Sequence, residues 1–301
     1  MAITITDAER LTYRDNFMMR VQEMGNTLWP LFPMEMVEGL MKRVDFVGPI
    51  TATQVANNRF TPIVGVDPLH TNRWLSTNPN EQAVFVDKKD INRVVIDPKT
   101  RYMDELVNAF VRRRETVIIS ALGGTVTTGE TGGSTSVFDT TNQEIAAGGF
   151  DLTLEKLQDT LFTHETRAYT HQNPGVRKYF VYTPAQKRSL LRTTEITNSD
   201  YNTVKALVNG EVSEYMGYTF LTSTLLTAAD GLAIGSSVNR ECYAFTADAI
   251  LKGEGMDRIT DVRERYDLTK FPWQLYVLED IGALRFQDEK VIRVLCDETA
   301  G

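Results

Sequence analysis

The stretch from Asp97-Pro98 to Gly123-Gly124, DPKTRYMDELVNAFVRRRETVIISALGG, constrains this chain more than any other. Proline at a first helical position and a glycine pair at the end are start and stop signals. Met103, Leu106, Val107, Phe110, Val117 and Leu122 mark one apolar face between them. Such a helix, roughly 23 residues long, would span about 35 Å. It carries Arg112-Arg113-Arg114 over most of one turn, a run that reads as a solvated face or as donors at an interface.

Upstream, Thr6 and Glu9 have capping-box spacing, and Leu11, Phe17 or Met18, Val21 and Met24 follow at near-helical intervals. The tract Leu28-Trp29-Pro30-Leu31-Phe32-Pro33 then breaks the period. An arm carrying Trp29, Phe32, Met34 and Met36 is expected to have little core of its own and to want a partner surface. From Phe46 to Asp97 no helical period holds; short β-type pieces such as Phe60–Val64 and Ala83–Val86 alternate with Asn-, Pro- and Gly-rich turns. A helix-free stretch of about 50 residues is the mark of a binding or interlocking loop. Its Arg59, Arg73 and Trp74 are candidate contact residues, because Arg and Trp dominate interface hot spots.

Downstream, residues 123–149 read as a Gly/Thr/Ser-rich loop. Asp151-Leu152-Thr153 caps a second helix that Asn173-Pro174-Gly175 should stop. Lys178–Tyr182 is a buried-strand pattern, and Thr183-Pro184-Ala185-Gln186 is a capping box leading into Leu190-Leu191. Tyr243–Lys252 reads as a strand then a short helix, and strands are expected at Ile259–Arg265, Trp273–Leu278, Leu284–Phe286 and Val291–Leu295. Helices early and strands late predict an α+β fold.

Composition bounds the function. A net charge of −8 with mixed acids and bases offers no overall basic face, so a chain that meets nucleic acid encloses it rather than clamps it. No apolar run is long enough to span a membrane, and the N-terminus does not read as a secretory signal. Cys242 and Cys296 form no close motif and no disulfide framework, in keeping with a reducing cytoplasm.

The candidates for chemistry fall short. Gly124-Thr-Val-Thr-Thr-Gly129-Glu130-Thr131 has P-loop glycine spacing, but Glu130 replaces the phosphate-binding lysine and the stretch follows a helix. A phosphate-binding enzyme is therefore the distant alternative. His164 and His171 are seven apart, not four, with no cysteine nearby to complete a metal site. No catalytic, cofactor-binding or metal-ligating residues are expected, and the reading is of a protein that is not an enzyme.

Taken in order, these parts resemble the tailed-bacteriophage major capsid protein family over essentially the whole chain. The likeness is carried by the long helix closing on its glycines, by LTLEKLQDTL and RKYFVYTPAQKRSLL, by DYNTVKALVNGEVSEYMGYTFLTSTLL, and by YAFTADA and GALRF. The resemblance implies an N-terminal arm (1–45), an extended β loop (46–97), a peripheral domain with a long spine helix (98–175 and 256–301) and an axial domain (176–255). It implies an icosahedral shell of hexamers and pentamers enclosing double-stranded DNA without sequence-specific binding, located in the virion and assembled in the host bacterial cytoplasm. The partners it implies are other copies of the chain, a portal protein and in some cases a decoration protein. Some relatives carry a cleaved N-terminal scaffolding extension; none is evident here, which implies a separate scaffolding protein. Inter-subunit contacts are expected at Trp29, Phe32, Arg59, Arg73, Trp74, Arg112, Arg113 and Arg114. The alternative within the same fold is the shell protein of a bacterial nanocompartment. Some relatives also join a loop lysine to a neighbour's asparagine, but no lysine lies between Val44 and Asp87 in this chain.

Overall fold

A computed structural model describes residues 27–50, 65–88, 98–172, 175–192, 214–226, 234 and 239–300. The capping box at Thr6 and Glu9, the Phe60–Val64 strand, Arg59 and much of the 200–226 stretch lie outside the described residues.

Among the described residues, three sheets and three α-helices make up the fold. The strands are β1 (Met34–Met36), β2 (Met41–Val47), β3 (His70–Ser76), β4 (Asn78–Val86), β5 (Val126–Thr128), β6 (Ser134–Ser136), β7 (Glu144–Ile145), β8 (Lys178–Tyr182), β9 (Glu214–Tyr215), β10 (Tyr218–Thr222), β11 (Arg240–Thr246), β12 (Ile250–Glu264), β13 (Trp273–Arg285) and β14 (Val291–Cys296). The helices are α1 (Pro98–Gly123), α2 (Leu154–Arg167) and α3 (Pro184–Arg192). One four-stranded sheet has the order β1-β12-β13-β4, a six-stranded sheet β7-β14-β11-β8-β10-β9, and a second four-stranded sheet β2-β3-β5-β6. The α+β expectation holds.

The six-stranded sheet carries the main core. β8 is buried at every position after Lys178, which a central strand covered on both faces requires. Phe180, Tyr182, Tyr218 and Phe220 interlock across β8 and β10 with ring centroids 5.4 to 6.4 Å apart. α2 starts where expected: Thr153 Oγ1 accepts from the Lys156 amide at 3.3 Å. α3 is capped as the sequence predicts, with Thr183 Oγ1 accepting from the Ala185 amide and Gln186 Oε1 accepting from the Thr183 amide.

α1, at 26 residues, is about 39 Å long and joins two cores. Leu106 and Phe110 pack on Val86, Leu275 and Val277 of the β1-β12-β13-β4 sheet, while Ile118, Ile119 and Leu122 enter the main core. A single rigid rod thus fixes one sheet relative to the other.

Several expectations need correcting. Trp29 and Phe32 are not an uncovered apolar arm. Both are 4% exposed in the main core, where the Phe32 ring packs at a tilt on Phe245 with centroids 5.1 Å apart. The helix expected after Tyr243 is a turn, because Ala249 donates back to the Thr246 carbonyl and Ile250 already pairs with Arg285. Three residues cannot hold a helical nucleus against a sheet ladder. The strands expected at Trp273–Leu278 and Leu284–Phe286 are one strand, β13, in which Gly282 interrupts the apolar pattern without interrupting the pairing. α2 ends at Arg167, ahead of the expected stop, with Tyr169 at φ +50° turning the chain away. The Gly/Thr/Ser-rich stretch holds β5, β6 and β7. The domain boundaries as expected also cut through elements: 45/46 falls in β2 and 255/256 in β12. α2, β7 and β14, placed with the peripheral part by expectation, pack with β8, β10 and β11.

Candidate assembly surface

The expected contact residues are mostly engaged within the chain. Arg73 on β3 forks onto Asp288, with Nη1–Oδ1 2.9 Å and Nη2–Oδ2 2.7 Å, and also donates to the Arg285 carbonyl at 2.6 Å. Trp74 donates its indole N–H to the Gly129 carbonyl at 2.7 Å and lies over Gly132, whose φ of +75° turns the β5–β6 hairpin. The P-loop-like glycines therefore form a strand-to-strand hairpin seated on a tryptophan, not a strand-to-helix phosphate cradle.

The arginine triplet separates by direction around α1. Arg112 pairs with Glu105 at 3.6 Å, two helical turns back, and Arg113 donates to Asn80 of β4 at 2.9 Å. Arg114 turns inward to Glu279 of β13 (Nε–Oε1 2.6 Å) and lies 5.0 Å over the Trp29 ring. Burial, followed by Arg258, holds its guanidinium below the ordinary arginine range, and Glu254 opposes that. Beside it Lys252 donates to the Trp29 carbonyl at 2.9 Å. Glu115, 2% exposed, accepts from the Leu28 amide at 2.8 Å. Together Arg114 and Glu115 of α1 and Lys252 of β12 clamp the Trp29 segment in place, leaving Trp29 and Phe32 almost no surface for a neighbour.

A second buried charge closes the far end of α1. Arg285, fully buried, donates to the Leu122 and Gly124 carbonyls at 3.1 and 2.7 Å and pairs with Asp288 at 2.5 Å. It supplies partners for carbonyls that the last helical turn leaves open. Sequence reading missed this residue; a lone arginine at the end of an apolar strand was the available signal.

The histidines do not meet. His164 is fully buried against Tyr218, and His171 sits in a turn with Nδ1 3.2 Å from the Glu165 carbonyl. Among the described residues no group of three His, Cys, Asp or Glu is placed to hold a metal ion. Cys242 and Cys296 are buried free thiols on neighbouring strands. Burial, and then the hydrogen bond with Cys296, push the Cys242 thiol well above its usual range.

Uncovered apolar groups concentrate elsewhere. The β2–β3 ribbon and its flanks present Leu40, Met41, Val47, Ile50, Val66 and Leu69, with Leu40 89% and Leu69 72% exposed. The β12–β13 turn also presents Tyr266, Leu268 and Phe271.

A ribbon of uncovered strands, a long helix backing one sheet and a second, helix-covered sheet define an α+β shell subunit of the phage capsid type. The capsid structure of cyanophage P-SCSP1u is similar at 14% identity and a TM-score of 0.68, over 93% of this chain and 90% of that one. Cyanophage Pam1 capsid matches at 13% identity and 0.68 over all of both chains, and the capsid of a native GTA particle at 13% and 0.66 over 94% of each. No curated protein sequence matches. A family model described as phage capsid protein matches residues 5–298, and the chain belongs to that family. It is a major capsid protein of the tailed-phage kind, a structural component of a virion.

Proposed function

We propose that copies of this chain form the hexamers and pentamers of an icosahedral head enclosing double-stranded DNA. The observation that carries this reading is the set of exposed apolar side chains on the β2–β3 ribbon and its flanks: Leu40, Met41, Val47, Ile50, Val66 and Leu69. Apolar area of that kind on an extended ribbon is buried only when a neighbour covers it. In this reading the ribbon lies over an adjacent subunit, α1 with its sheet forms the peripheral part, and the six-stranded sheet with α2 and α3 forms the axial part. Assembly takes place in the host cytoplasm with a separate scaffolding protein and a portal protein, and a decoration protein binds the finished shell in some cases. DNA is enclosed without sequence-specific contacts. The test is to express the chain with the scaffolding protein of its own genome and image the product. Closed shells of uniform size are expected. Stable monomer under every condition would overturn the reading.

A further inference from the structure

The helices covering the six-stranded sheet carry opposite charges that do not meet. On α2, Glu155, Asp159 and Phe162 recur at i, i+4 and i+7, one outward stripe, and Phe162 is 70% exposed. On α3, Arg188 and Arg192 are exposed one turn apart, with half-buried Leu191 between them. The segment 175–192 carries five cations (Arg177, Lys178, Lys187, Arg188 and Arg192) and no carboxylate, in a chain of net charge −8. The two helices are neighbours: Ser189 Oγ donates to Asp151 Oδ2, just ahead of α2, at 2.5 Å. Yet Glu155, Asp159, Arg188 and Arg192 find no oppositely charged partner among the described residues.

Both pairs have the same i, i+4 spacing, about 6 Å along a helix face. Resting on the proposed ring assembly, we infer that the α2 stripe of one copy docks on the α3 face of the next. Glu155 and Asp159 meet Arg188 and Arg192, and Phe162 is covered against the neighbour's Leu191. Two different faces of one subunit joined in this way make a heterologous contact, the kind that closes into a ring. A second copy fits better than DNA because the chain itself supplies the matching acidic stripe and the apolar group beside it. Pairs at such a rim set orientation and association rate more than affinity, and they weaken with salt.

Two variants test it: Arg188→Glu with Arg192→Glu, and Glu155→Lys with Asp159→Lys. All four side chains are exposed, and thermal melts establish that each variant folds. Each variant alone should lose shells, since like charges face each other at every ring contact. Combined on one chain, they should recover them, since every contact then again joins opposite charges. Should a reversed variant fail to fold, the neutral Gln pairs replace it and should reduce shell yield and flatten its dependence on salt. Shells from each variant as abundant as from the unsubstituted chain would overturn the contact and leave the shell reading standing. Loss of DNA retention with intact shells on reversing Arg188 and Arg192 would overturn it in favour of a nucleic-acid face. Absence of shells from the unsubstituted chain would instead count against the shell reading itself.

Discussion

His164 is held as a neutral ring. Its Nδ1 lies 2.6 Å from the Tyr218 hydroxyl and its Nε2 3.3 Å from the Lys290 carbonyl, so a proton on Nε2 satisfies both partners. Burial, with Lys178 adding to it and the Lys290 carbonyl opposing, pushes its pKa down to about 4. In the unfolded chain it returns to about 6.5. Between those values the unfolded state binds more protons, so stability is full above the upper value and falls as pH drops toward the lower one. The loss across the window is on the order of 3 kcal/mol. Melting temperature should therefore drop between pH 7 and pH 4.5, and His164→Gln should flatten that slope. An unchanged slope in the variant would place the acid sensitivity elsewhere.

At the scale of elements, β13 holds the fold together, pairing with β12 on one side and β4 on the other. It crosses the corner between β3 and β4 so closely that a Cβ on Gly282 would lie 2.0 Å from the Ser76 carbonyl oxygen, a backbone atom. Gly282→Ala should cost about 3 kcal/mol or prevent folding, measured by denaturant melts. Thr153→Ala, which removes only a cap, should cost about 1 kcal/mol. This separation marks what the sequence could and could not disclose. Caps and periods are local, so α1, α3 and the starts of α2 and β8 were legible. Trp273–Leu278 and Leu284–Phe286 read as separate strands because the reason for Gly282 between them is a carbonyl some 200 residues away in sequence. Trp29 and Phe32 read as an interface for the same cause, since Glu115, Phe245 and Lys252, which cover or clamp them, are remote in the chain. The expected contact residues were recognisable as polar or aromatic anchors, but whether an anchor grips its own chain or a neighbour is a question of tertiary placement.

At the scale of the whole molecule, the absence of lysine between Val44 and Asp87 leaves the outer part of the ribbon without an amine for an intersubunit amide bond, and Lys42, near the start of β2, is paired with Glu35. Lys88 follows β4, where its Nζ pairs with Glu264 at 2.9 Å beside the β12–β13 turn. Shells boiled in detergent should run as one band near 33.9 kDa, and a ladder surviving denaturant and reductant would contradict this. The order of strands has a consequence for how such subunits are made. β13 lies inside one sheet between β12 and β4, and β14 lies inside another between β7 and β11, yet β13 comes far downstream of β4 and β14 far downstream of β7. Until the ribosome has delivered β13 and β14, β4 and β7 wait without those partners. Contacts of such wide sequence separation fold slowly. The nascent chain therefore carries open strand edges until those segments emerge, and copies made side by side are exposed to edge-to-edge aggregation in that interval.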